Sequence, residues 1–247
     1  MRRLLTVELR KATATGVNWW LLLATAAIGV LGTLAPLLAT DLATADLLTD
    51  HMLQEALHGA AAGVTLVVVA GIVGMAGDWR FGQAGQAFLG TPERWRVVAA
   101  KTIAYGGVGA AFGAIAAVAA TAAAWGWYRG QGLSLPLDRS AVWLTLAGCL
   151  AVAVVFGPLG VAIGAIVRNQ TMAIVGALGW MVLVEPALFQ AAPSVFRWLP
   201  VMASFSLRNM PGDEFLPVGP AAAVVVSVIV VSLAVGVRLV ERDDVTG

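Results

Sequence analysis

Long apolar runs alternate with short charged stretches along almost the whole chain. The gaps between charged residues mark six runs: Ala12 to Thr40, Ala56 to Gly77, Thr102 to Tyr128, Ser140 to Val167, Asn169 to Val184, and Phe215 to Val237. A helix needs about 20 apolar residues to cross a hydrocarbon core. Five runs meet that length, and the run of 16 from Asn169 meets it when Glu185 sits at the far interface. The pattern predicts an all-α polytopic membrane protein, one transmembrane domain over residues 1–247, with spans at 17–40, 56–77, 98–128, 140–167, 170–190 and 218–240. Between them, 191–217 is too charged and proline-broken for a seventh span. Val195, Phe196, Trp198, Leu199, Met202 and Phe205 suit an amphipathic or re-entrant piece there, on the outer side.

The first residues, 1–15, form a separate small element. On a helical wheel Leu5, Leu9 and Ala12 face one way and Arg3, Arg10 and Lys11 the other, as in a helix lying in the interface. Arg2 and Arg3 resemble a signal-peptide start, but the apolar stretch begins late, is too long and contains Pro36, so a permanent first helix is expected.

Composition agrees with the pattern. With 60% hydrophobic and 12% charged residues and a mean hydropathy of +0.87, the chain is too apolar for an ordinary soluble domain. A net charge of +1 gives no reason to expect nucleic acid. The single cysteine, Cys149, excludes an intrachain disulfide.

Basic residues set the expected orientation, because short loops rich in Lys and Arg stay in the cytoplasm. Arg2, Arg3, Arg10, Lys11, Arg80, Arg94, Arg96, Lys101, Arg168, Arg238 and Arg242 fall on the side of the termini; only Arg129, Arg139, Arg197 and Arg208 fall on the other. Both termini are expected in the cytoplasm. Tryptophan agrees: Trp19, Trp20, Trp79 and Trp95 mark one boundary, and Trp125, Trp127, Trp143 and Trp198 the other. Trp180 alone falls near mid-bilayer, about 18 Å along a helix from Arg168.

The stretch from Asp78 to Lys101 is the most distinctive. Its 24 residues hold six charges, Asp78, Arg80, Glu93, Arg94, Arg96 and Lys101, between two long charge-free runs. Thr91-Pro92-Glu93 reads as a helix start: a hydroxyl to cap free N–H groups, a proline suited to the first position, and an acid at the positive end of the dipole. A short helix running onward into the next apolar run is expected.

Asp78-Trp79-Arg80-Phe81-Gly82, then Leu89, Thr91-Pro92, Arg94 and Ala99-Ala100-Lys101 resemble the cytoplasmic loop of ABC-2-type permeases, the membrane subunits of ATP-binding-cassette exporters. A looser resemblance runs from the Arg-Arg start through Val167-Arg168-Asn169-Gln170 and Glu185-Pro186. The resemblance implies a coupling helix within 78–97 that docks on a separate cytoplasmic ABC ATPase, with Asp78, Arg80, Gly82, Thr91, Pro92, Glu93, Arg94 and Arg96 as coupling residues. It further implies an N-terminal elbow helix, a second permease subunit as in a homodimer, two ATPase copies holding ATP and Mg, and a place in the plasma (inner) membrane. The expected cargo is amphipathic or hydrophobic: a drug, a peptide or a lipid-like molecule.

Nucleotide chemistry within this chain is not expected. A phosphate-binding loop needs Gly-Lys-Ser/Thr, and neither lysine, Lys11 or Lys101, follows a glycine. Glu185, about 25 Å up a helix from Arg168, has two readings: a carboxylate solvated at the outer interface, or part of a substrate path with Met181 and Trp180. His51, Glu55 and His58 share a helical face, as metal ligands or as a solvated helix start. Asn169-Gln170-Thr171 matches a glycosylation sequon on the side expected to be cytoplasmic. Gly59 with Gly63, Gly109 with Gly113, and Gly160 with Gly164 suit close helix packing, inside the bundle or at a dimer seam. A secondary transporter is the alternative function, and it requires ionisable groups deep in the membrane.

Overall fold

A computed structural model describes residues 1–39, 46–80 and 93–242, and every regular element among them is helical. Helix α1 (Arg2–Ala14) is followed, after Thr15, by α2 (Gly16–Ala39). A 3₁₀ turn at Asp46–Leu48 precedes α3 (Asp50–His58), which passes through a second 3₁₀ turn, Gly59–Ala61, toward α4 (Val64–Arg80). Then come α5 (Arg94–Gly130) and α6 (Ser140–Val167). Helix α7 (Gln170–Leu178) continues through a π-helical stretch, Gly179–Val184, into α8 (Glu185–Ala191). Short helices α9 (Pro193–Phe196) and α10 (Pro200–Leu207) precede α11 (Val218–Arg242).

Six helical stretches are long and apolar enough to cross a membrane: α2, Asp50–Arg80, α5, α6, Gln170–Ala191 and α11. They match the six expected spans in order, with two differences in extent. The second begins at Asp50 rather than 56, because Thr49 accepts the Met52 N–H at 3.4 Å and Asp50 adds an acid to the first turn. The third runs unbroken for 37 residues. Residues 191–217 fold as short helices with Pro193 and Pro200 at their starts, where a missing N–H costs nothing.

Helix α4 and the α3 turn preceding it are the most enclosed part of the bundle, with α6 beside them, while α2, α7–α8 and α11 turn most of their surface outward. Glycine sets how near α4 and α6 come. A Cβ added to Gly160 would lie 2.1 Å from the Val68 carbonyl oxygen, and one added to Gly71 would lie 2.4 Å from that of Gly157. On the other side of α6, a Cβ on Gly109 of α5 would meet the Ala153 carbonyl at 2.1 Å. The three glycine pairs picked out by spacing all face neighbouring helices of the same chain. In lipid such contact is the main attraction between helices, since their apolar surfaces are equally solvated by acyl chains.

The turn between α6 and α7 is tight. Arg168 adopts a left-handed conformation (φ 56°) that ends α6, and the Asn169 side chain accepts the Met172 N–H at 3.0 Å to start α7. At the opposite end, Tyr128 donates to the Leu47 carbonyl at 2.6 Å and Arg139 to Asp50 at 2.7 Å. Phe189, Phe215 and Phe205 stack as a column there, with the Arg208 guanidinium 4.1 Å from the Phe205 centroid.

Close packing at Gly160 is expected to make the position intolerant of a single methyl group. Gly160→Ala should lower the thermal midpoint of the detergent-solubilised protein, a cost of about 1–3 kcal/mol from overpacking. Gly126→Ala, where an added Cβ meets nothing within 4 Å, should leave the midpoint unchanged or raise it. Equal midpoints for the two variants would refute the packing described.

Candidate functional site

Three helices bring charged side chains together at the end of the bundle that holds the N-terminus. Glu8 and Lys11 are one turn apart on α1, Gly74 and Asp78 one turn apart on α4, and Lys101 and Tyr105 one turn apart on α5, so each helix presents two groups on one face. Lys101 is 1% exposed. Its Nζ lies 2.6 Å from Glu8 Oε2, 2.9 Å from Asp78 Oδ2 and 2.9 Å from the Gly74 carbonyl oxygen. A lysine ammonium has three protons to donate, and each has an acceptor here. Lys11, half-buried, adds a second cation 3.2 Å from Glu8 Oε1 and 3.8 Å from Asp78 Oδ1. Two carboxylates and two ammonium groups balance to zero, which makes their burial tolerable.

Gly74 makes room for this arrangement. A Cβ there would sit 2.0 Å from the Tyr105 ring, so only glycine lets the ring lie across α4 while leaving the carbonyl open to Lys101. A hollow of about 330 Å³ lies against the cluster, lined by Glu8, Lys11, Gly77, Asp78, Lys101 and Tyr105 among others.

This geometry revises several expectations. Asp78, expected as a contact for a partner ATPase, is buried and ion-paired to Lys101. On α1 the inward face is Glu8 and Ala12; of the expected apolar face, Ala12 is buried, Leu5 half-buried and Leu9 exposed. Electrostatics decides that rotation: Lys101 is buried, and Glu8 supplies its counter-charge. Arg80 is exposed and reaches Gln170 Oε1 at 3.5 Å. Arg94 donates to the Val240 carbonyl at 2.9 Å, a cation near the negative end of α11. Glu93 and Arg96 pair with each other on the surface. Gly82, Thr91 and Pro92, and with them most of the expected coupling helix, lie outside the described residues; α5 begins at Arg94.

The second expected site divides. Glu185 is 0% exposed, not solvated at an interface. Its Oε1 accepts the Met202 N–H at 2.8 Å and its Oε2 accepts Trp180 Nε1–H at 3.1 Å. It therefore caps α10, whose first turn begins at Pro200 and offers free N–H groups to a carboxylate. The π-helical stretch just before it admits Pro186 without breaking the helix, because the widened turn moves the clashing carbonyl away. Trp180 and Met181 line a cavity of about 320 Å³ with Leu159, Ile163, Val201 and Val228; Glu185 does not.

The histidine face does not converge. His51 Nδ1 is 3.9 Å from Glu55, while the His58 ring packs 4.9 Å from Phe205. Among the described residues no group of three metal-ligating side chains occurs. Three functional candidates were missed from the sequence. Glu8 and Lys101 carried a usable signal, Glu8 as the one acid in the basic segment 1–15 and Lys101 as a base directly beside an apolar run. Arg208 carried none: it is buried, bonds to the Ser204 carbonyl and hydroxyl at 3.2 and 3.1 Å, and burial lowers its guanidinium to about 10, so it stays charged at neutral pH.

Lys101→Met is expected to destabilise the protein by about 3–5 kcal/mol, since it leaves two buried carboxylates facing each other. Replacing Glu8, Asp78 and Lys101 together by Met, Leu and Met should cost less than Lys101→Met alone. Thermal midpoints in detergent measure both, and an unshifted midpoint for Lys101→Met would remove the cluster from the structural account. Glu185→Ala should lower the midpoint, at a cost of about 1–3 kcal/mol in stability through loss of the α10 cap, with Glu185→Gln intermediate.

Against this geometry, no family model, curated protein or solved structure matches the chain.

Proposed function

We propose that the chain is the permease subunit of an ATP-driven exporter of the ABC-2 type, forming half of a path for an amphipathic or hydrophobic substrate. A separate ATPase, present in two copies, holds ATP and Mg, and a second permease subunit, most simply an identical one, completes the path. The observation that carries this reading is the anchoring of the connector between α4 and α5. Both of its ends, through Asp78 and Lys101, meet in one buried ion cluster that also holds α1 through Glu8. A force applied to the connector would thus reach three helices together. The residue pattern from Asp78 to Lys101, the excess of basic residues on that side, and the absence of a Gly-Lys-Ser/Thr loop add support.

In this reading the exposed arginines Arg80 and Arg96 face the ATPase, while Asp78 acts behind them by holding α4 to α5. The cavity beside Trp180 and Met181 is the candidate substrate contact. A secondary transporter is favoured by a different observation, the burial of Glu8, Asp78 and Glu185, because ionisable groups within a membrane often carry coupling ions. Their bonding weighs the other way: Glu8 and Asp78 are ion-paired, and Glu185 is spent on a helix cap.

The tagged protein purified from its own membranes is expected to bring down a nucleotide-hydrolysing subunit. Arg80→Glu with Arg96→Glu should remove that subunit without lowering the amount of permease. A cysteine at Gln86 should resist an impermeant maleimide in intact cells and react in opened ones, with buried Cys149 contributing little background. Labelling from outside, or transport that follows the proton gradient and survives ATP depletion, would overturn the proposal.

A further inference from the structure

At the end of the bundle away from the termini, α5 and α6 part to leave a groove of about 710 Å³. Small side chains make the gap: Ala117 and Ala122 on α5 face Ala147 on α6, with Val118, Leu146 and Leu150 around them. The polar atoms along it are already used. Thr121 donates its hydroxyl to the Ala117 carbonyl at 2.7 Å, and Trp143 donates its indole N–H to the Leu137 carbonyl at 2.8 Å.

The mouth of the groove has the opposite character. Trp125, which lines the groove, also lines a polar hollow of about 610 Å³ with Arg129, Gly132, Leu133 and Ser134. Arg129 lies over the Trp125 ring, 4.9 Å from its centroid, and among the described residues it has no acidic partner. Gly132, at φ +74°, turns the chain so that its N–H bonds the Arg129 carbonyl at 3.0 Å, and Ser134 lines the same hollow as Arg129. From Arg129 to Ala117 is 12 residues, about 18 Å of helix, against about 15 Å for half of a hydrocarbon core.

We infer that this groove and hollow form one binding site for a phospholipid of the leaflet away from the termini. The phosphate is held by Arg129, whose guanidinium fork suits an oxyanion, and one acyl chain lies in the groove between α5 and α6. A fixed cation at the interface joined to a dry channel one leaflet deep matches that ligand and no soluble one. Trp125 and Trp143 flank the join at the level where amphipathic rings settle.

Native mass spectrometry of the full chain, titrated with phosphatidylglycerol, tests the site. One lipid should bind ahead of the rest. Arg129→Gln should weaken that first binding about tenfold, the loss of one charge-assisted contact. Ala147→Phe, at an exposed lining position, should weaken it comparably by filling the groove, with Val118→Trp as a second blocking variant if the first fails to fold. Glycerol phosphate should not compete at matched concentration. Unchanged affinity in Arg129→Gln, or in both blocking variants, would mean unselective annular lipid and overturn the inference; so would competition by glycerol phosphate, which would reduce the site to a headgroup contact.

Discussion

The lysine ammonium of residue 101, set among two carboxylates and a backbone carbonyl, governs how the N-terminal half of the molecule is built. Removing one charge from water costs several kcal/mol even after relaxation, so Lys101 constrains everything within its reach. It determines which face of α1 turns inward, it engages the Gly74 carbonyl, and it joins the last turn of α4 to the second turn of α5. Such clusters are weak evidence for net stability, because apolar replacements often do as well. Their effect is specificity: one rotation of α1, one register between α4 and α5. A helix held only by apolar contact with lipid and neighbours has no comparable reason to choose.

The rest of the bundle is held by the opposite means. Where α6 runs between α4 and α5, backbone meets backbone across glycine, and no polar side chain is needed. The two devices share the chain in a sensible way. Close backbone contact gives a broad attraction along the apolar spans, while charge pairing fixes orientation at one end and a carboxylate cap, Glu185 on α10, fixes the segment at the other.

The spans were legible because lipid imposes a length and a composition that no neighbouring residue can override. The glycine pairs were legible for a related reason, since helical spacing places both members on one face and close approach is their main use. The buried charges were less so. Reading charges as the ends of spans places Asp78 and Lys101 on the surface by assumption, and only three-dimensional convergence shows that they neutralise each other inside it. The same assumption put Glu185 at a boundary with water. Its true partner, the Met202 amide, lies on a short helix whose position no periodicity announces.

Helix α5 is 37 residues long, about 55 Å, nearly twice the hydrocarbon thickness of about 30 Å. It packs closely on α6 between Tyr105 and Gly109, where a methyl group on Gly157 would strike the Tyr105 carbonyl and one on Gly109 the Ala153 carbonyl. A stiff rod pinched there behaves as a lever. Its short arm, from Gly109 to Arg94, is 15 residues and its long arm, to Arg129, is 20, about 22 Å and 30 Å. Any rocking at the charged end is therefore magnified and reversed at the far end, where the gap between α5 and α6 would widen or narrow in step.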